Sequence, residues 1–137
     1  MDLRKILGGS VVGVLASMAI GIVFYMLYYQ DQLSELQAEF PNVMNTEPLF
    51  ALGILVGFGQ AFLTAMYFDK AGVDSLKSGA INGAWISAAI WIVANGNVMV
   101  MSKLTTMDYF LTDIVISAVM GAFTGAIMAL AMKRMSK

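Results

Sequence analysis

Three side chains able to hold a cation or a polar headgroup fall close together late in this chain. Asn95 and Asn97 lie in the run IWIVANGNVMVMSK (residues 90–103), and Asp113 follows within the next apolar stretch. Carboxamide and carboxylate oxygens accept hydrogen bonds or ligate hard cations, and carboxamide N–H groups donate. Counted inward at ~1.5 Å per residue, all three stand at nearly one depth, close to the outer edge of a membrane. Two readings fit. Asn-Gly commonly marks a turn, so the helix ends at Asn95-Gly96 and Met99 and Met101 dip back into the interface. In the other, Asn95, Asn97 and Asp113 form a small outer vestibule that binds an ion or a headgroup.

A second candidate pair is Gln60 and Thr64, one helical turn apart near the middle of an apolar stretch. Ser17, Ser87 and Thr124 stand where they can meet this pair across a bundle. Polar side chains so placed fasten helices more often than they conduct anything. Asn82 invites the same reading.

The chain has no cysteine and no histidine. That removes disulfides, thiol nucleophiles, imidazole bases and the commonest zinc and haem ligands. No catalytic residue, metal or cofactor is assigned. Thioethers suit Cu(I), and Met44, Met99, Met101 and Met107 fall on one side. Without Cys or His beside them, the twelve methionines read better as gap-fillers in apolar packing. Trp85 and Trp91 read as packing or lipid contacts. Asp113 has no basic or nucleophilic companion, so the expectation is a protein that is not an enzyme.

The elements that position these residues are read from composition and hydropathy. Of 137 residues, 59% are hydrophobic and only 12% charged, against about a quarter charged in a soluble domain. Mean hydropathy is +0.77. The expected fold class is all-α: an integral membrane bundle of four transmembrane helices, in a single domain over residues 1–137. The spans run over residues 6–29, 49–68, 79–101 and 109–132, each near the ~20 residues that cross ~30 Å of hydrocarbon. A basic start (Arg4, Lys5) and small residues at Ser17-Met18-Ala19 admit a cleaved signal peptide. The apolar run continues to Tyr29, which favours a retained span.

The net charge of -1 decides nothing, because in a membrane the position of Lys and Arg matters more than their sum. Arg4 and Lys5 precede the first span, Lys70 and Lys77 join the second to the third, and Lys133, Arg134 and Lys137 follow the fourth. The other side holds Lys103 and an acidic segment with Asp31, Glu35, Glu39 and Glu47. Both termini are therefore expected in the cytoplasm. Leu33, Leu36 and Phe40 recur at helical spacing until Pro41, so the acidic segment extends the first span or lies along the surface. Helix starts are expected at Thr46-Glu47-Pro48, Asp74-Ser75 and Thr105–Asp108. Tyr25, Tyr28 and Tyr29 fit an outer aromatic belt. No basic block suggests nucleic acid.

Small residues recur four apart in every span: Gly9, Gly13, Ser17 and Gly21; Gly53, Gly57, Ala61 and Ala65; Gly79, Gly83 and Ser87; Ser117, Gly121, Gly125 and Ala129. Lipid offers no hydrophobic force between helices, so such faces draw backbones into van der Waals contact. Four tightly packed helices then leave little room for water. Second small faces, Ala80, Ala84 and Ala88 with Ala118, Ala122 and Ala126, point to contact beyond one copy, as a homodimer or with a larger membrane partner. Gly9, Gly13, Ser17, Ala19, Ile20, Ile22 and Val23 align without a gap on Gly79, Gly83, Ser87, Ala89, Ile90, Ile92 and Val93. Two pseudo-repeated hairpins about an axis along the membrane normal would follow.

With LKSGAINGAWISAAIW (76–91) and DIVISAVMGAFTGAIMALAMKR (113–134) in view, the chain resembles a group of small bacterial four-helix membrane proteins classed as domains of unknown function. The resemblance implies four spans in a bacterial inner membrane and supplies no activity. Small multidrug transporters, with a glutamate in their first helix, and small fluoride channels, with their own Asn and Phe pattern, match poorly. The leading functional expectation is a non-enzymatic structural or accessory subunit that packs with itself or a partner in the lipid bilayer. The alternatives are a small oligomeric channel or transporter using Gln60, Asn95, Asn97 and Asp113, and a protein that binds lipid or a hydrophobic ligand between its spans.

Overall fold

The computed structural model describes residues 2–45, 47 and 49–135, and these form an all-helical chain. Helix α1 (Leu3–Phe24) passes through a π turn (Tyr25–Tyr29) into α2 (Gln30–Glu39); α3 (Phe50–Ala71), α4 (Leu76–Met101) and α5 (Met107–Met135) follow. Four stretches, Leu3–Glu39, Phe50–Ala71, Leu76–Met101 and Met107–Met135, are long and apolar enough to cross a membrane.

Local chemistry sets most of the ends. Asp2 caps α1, its carboxylate accepting from the Lys5 N–H at 3.2 Å. Helix α2 stops at Glu39, with Phe40 as its last cap, one residue before Pro41. Helix α3 closes on Gly72, whose φ of 66° is the left-handed geometry that glycine adopts without a Cβ clash. A capping box of Ser75 and Ser78 opens α4, and Thr106 accepts from the Tyr109 N–H at 3.3 Å at the start of α5. Thr46 and Pro48, expected to begin the second span, and Lys137, counted with the basic ends, lie outside the described residues.

One expected end is absent. Helix α4 runs unbroken through Asn95, Gly96 and Asn97 to Met101. A carboxamide can stay helical by donating back one turn, and Asn97 does so, to the Val93 carbonyl at 2.7 Å.

The four long helices pack as an open arc in the order α3, α1, α5, α4. The α4–α5 contact is the most intimate, because Gly79 and Gly83 face Gly121 and Gly125 backbone to backbone. A Cβ at Gly83 would lie 2.9 Å from the Gly125 Cα, and one at Gly125 would lie 2.8 Å from the Gly83 Cα. Helix α1 rests on α5 and α3 more softly. Gly9 and Gly13 accommodate the side chains of Met132 and Met128, with Ala65 and Ala61 of α3 behind them, and Gly21 meets Met120. The apolar core of Ile6, Ala61, Ala65, Phe68, Val73, Met128, Ala129 and Met132 fills one end, where Lys5 pairs with Asp69 at 3.1 Å.

Helices α3 and α4 barely meet. Their link is Tyr67, which donates to Asn82 Oδ1 at 3.0 Å and packs edge-on against Trp85. Beyond it α3 stands away from its neighbours. Gly53 and Gly57, expected to draw backbones together, would meet nothing within 4 Å if given a Cβ. Contact with α1 through Ala61, Ala65 and Phe68 holds only the second half of α3. The extensive α1–α5 contact has no counterpart between α4 and α3, so the packing does not follow the symmetry suggested by the aligned halves.

Candidate functional site

An arc with one open side encloses space. A cavity of about 440 Å³ lies between the four helices, within the ~300–1,000 Å³ typical of small-molecule sites. The expectation of little internal room is therefore corrected. It took every small residue as a point of contact, whereas Ser17, Gly21, Gly57, Ser87 and Ser117 all line the cavity. Gln60, Thr64 and Thr124 line it too.

The expected fastening bonds across the bundle do not form. Thr64 donates to the Gln60 carbonyl at 2.9 Å and Ser17 to the Val14 carbonyl at 2.9 Å, each within its own helix. Asn82 does fasten helices, through Tyr67. The cavity keeps the remaining polar groups apart. Ser87 and Ser117 are 8% and 2% exposed, yet among the described residues neither hydroxyl has a hydrogen-bond partner in the protein. No side-chain oxygen or nitrogen among the described residues is both fully enclosed by protein and unpartnered. The two hydroxyls thus reach the cavity, where an occupant or water can satisfy them.

Met128, fully buried, ends the cavity on the side of the apolar core. Its other end is polar and aromatic. Asp113 is only 2% exposed; its Oδ1 accepts from the Tyr29 hydroxyl and its Oδ2 from the Asn95 carboxamide. One carboxylate so ties α5 to the π turn after α1 and to α4. Tyr109 joins the lining and stacks on Tyr28, ring centroids 6.2 Å apart, and Tyr25 and Trp91 complete the aromatic wall. Of the three residues grouped as a vestibule, Asn95 and Asp113 meet. Asn97 points elsewhere and bonds its own helix.

Tyr29, which the sequence places in an aromatic belt, belongs to this site. Gly13, Ser17, Gly21, Tyr25 and Tyr29 line one cavity at strict four-residue spacing. A regular α-helix turns 100° per residue, so Tyr29 would stand roughly 160° away from Gly13 around the axis. The π turn, in which the Gln30 N–H bonds the Tyr25 carbonyl, adds one residue to a turn and takes back roughly 100° of that drift. Tyr29 reaches Asp113 because of this inserted residue.

Comparison with protein-family models, with curated proteins and with solved structures finds no match to the chain in any of the three. The functional reading therefore rests on the geometry of the site. The site is a mostly apolar chamber, closed by a core at one end and bearing a hydrogen-bonded carboxylate at the other. The hydrogen-bond partners of Asp113 are a phenol and a carboxamide.

Proposed function

We propose that this protein is a non-enzymatic membrane protein that binds a small, largely apolar molecule in the cavity between its four helices. The observation that carries the reading is the cavity itself, about 440 Å³ and walled by all four long helices. The wall is incomplete where α3 and α4 part beyond Tyr67, which gives an apolar molecule a sideways entry from the acyl chains. Insertion in a bilayer is supported by the four long apolar helices. Arg4, Lys5, Lys70, Lys77, Lys133 and Arg134 gather at the Asp69 end, supporting an orientation with both termini in the cytoplasm. A bacterial inner membrane is the setting that the resemblance implies.

Native mass spectrometry of protein extracted gently from its membrane tests the proposal. The expected result is a bound small molecule that Thr124→Phe, which fills the cavity, expels from a folded protein. Absence of any adduct, or one indifferent to Thr124→Phe, overturns it.

Self-association is a second reading, favoured by the first half of α3. Phe50 to Val56 is exposed all round, and Gly53 offers a flat point of approach. Because the chain has no cysteine, Gly53→Cys supplies a unique crosslinking site. Dimer formed by Gly53→Cys in membranes, at protein densities where Leu15→Cys forms none, is the expected outcome; equal yields from both count against a specific face.

A further inference from the structure

The chemistry of the cavity's polar end narrows the ligand class. Asp113 is nine-tenths buried and its two oxygens are held by neutral donors, a phenol and a carboxamide. The Tyr29 hydroxyl meets Oδ1 and the Asn95 carboxamide meets Oδ2, so neither contact brings a charge to the carboxyl group. Among the described residues no lysine or arginine pairs with it. Among the described residues the one ion pair is Lys5–Asp69 at the opposite end, and Lys103, in the loop between α4 and α5, is exposed. A carboxyl group withdrawn from water among neutral neighbours gains from a positive charge set against it, which makes Asp113 a fitting counter-ion for a cationic ligand.

We infer that the cavity takes a monovalent organic cation with an apolar body, its charge set against Asp113 and its body against the glycine and alanine walls. This rests on the ligand-binding reading above and adds the sign of the ligand's charge. Three further observations point the same way. Tyr25, Tyr29, Trp91 and Tyr109 line the cavity with Asp113, and aromatic faces attract alkylammonium groups. Ser117, one turn from Asp113 on α5, and Ser87 leave unpartnered hydroxyls in the wall, so a polar substituent on the ligand finds hydrogen bonds there. A bare metal ion fits poorly. Hard cations such as Ca²⁺ take six or more oxygens, and among the described residues no three acidic side chains converge.

The test compares benzyltrimethylammonium with neopentylbenzene, which has the same shape and a carbon in place of the charged nitrogen. Binding to full-length protein in lipid nanodiscs is followed by isothermal titration calorimetry against empty nanodiscs, with ligand concentrations measured in the lipid. Wild-type protein is expected to bind the cation at least about 10-fold more tightly than its neutral twin. Asp113→Asn should weaken the cation by about 100-fold and leave the neutral compound unchanged, which also shows that the variant is folded. Trp91→Leu, which leaves both hydrogen bonds of Asp113 in place, should weaken the cation by about 3- to 30-fold. Equal binding of the two compounds to wild type overturns the inference while leaving the cavity reading intact. Failure of both compounds to bind overturns the cavity reading itself.

Discussion

Replacing Gly83 by alanine probes the contact on which the shape of the arc depends. The new methyl would lie 2.9 Å from the Gly125 Cα and 3.0 Å from the Gly121 carbonyl carbon, and would overlap the Gly121 carbonyl oxygen. Unstrained carbon contacts begin near ~3.5 Å, so α4 and α5 must part by roughly 0.5–1 Å, which forfeits about a quarter to a half of each dispersion contact along the seam. Overpacking of this kind costs ~1–3 kcal/mol, and the upper part of that range applies because backbone, not a side chain, must give way. Two variants bracket it. At Gly13 an added methyl meets the Met128 thioether, which is flexible and can re-pack, so Gly13→Ala should cost no more than ~1 kcal/mol. At Gly59 nothing lies within 4 Å, and Gly59→Ala should stabilise by ~0.5–1 kcal/mol through helix propensity alone. Unfolding in mixed micelles by added dodecyl sulfate, followed by circular dichroism, ranks the three. The reasoning is refuted if Gly83→Ala lies within ~0.5 kcal/mol of wild type, or if Gly59→Ala is as damaging as Gly83→Ala.

Other expectations use the same titration. Tyr29→Phe leaves Asp113 Oδ1 without its donor and should cost ~1–3 kcal/mol, the penalty for an unsatisfied buried acceptor; no loss at all would mean that the bond is not formed. Tyr67→Phe removes the tie to Asn82 and should cost ~0.6–1.7 kcal/mol while lengthening the α3–α4 distance seen by paired spin labels. An unchanged distance distribution would show that α3 is held in place by α1 alone. Ser75→Ala removes the hydroxyl that caps α4 and should cost ~1 kcal/mol, with the loss reduced in Ser75→Asp, which caps equally well.

The number and length of the helices were legible in hydropathy, because ~20 apolar residues in a row admit few other structures. Caps were legible at Ser75 and Thr106, where a short polar side chain precedes an apolar run, and not at Asp2. The small-residue ladders gave the α4–α5 seam, where Gly79, Gly83, Gly121 and Gly125 meet backbone to backbone. Their roles elsewhere were not legible. A glycine face permits contact without choosing a partner, and Gly53 and Gly57 have none. Spacing alone does not separate a glycine that touches from one that leaves a space, so it does not reveal the cavity. In Asn95-Gly96 the turn propensity of the dipeptide lost to continuous helix. An isolated carboxamide bonds its own backbone, as Asn97 does, or finds a partner on another helix, as Asn95 does. Tyr29 shared a depth with Asp113, which was one available signal. The four-residue series from Gly13 to Tyr29 was another, since it outruns a 3.6-residue period and can share one face only if a residue is inserted.

The central claim is an accessible chamber between the four helices, and a single-cysteine comparison tests it most directly. The chain is free of cysteine, so one can be placed in the cavity wall, as Thr124→Cys, or in the fully buried apolar core, as Ala65→Cys. With a small cationic methanethiosulfonate applied to protein in nanodiscs, Thr124→Cys is expected to react to completion, and benzyltrimethylammonium to slow it, while Ala65→Cys stays inert. A Thr124→Cys variant as unreactive as Ala65→Cys would contradict the account.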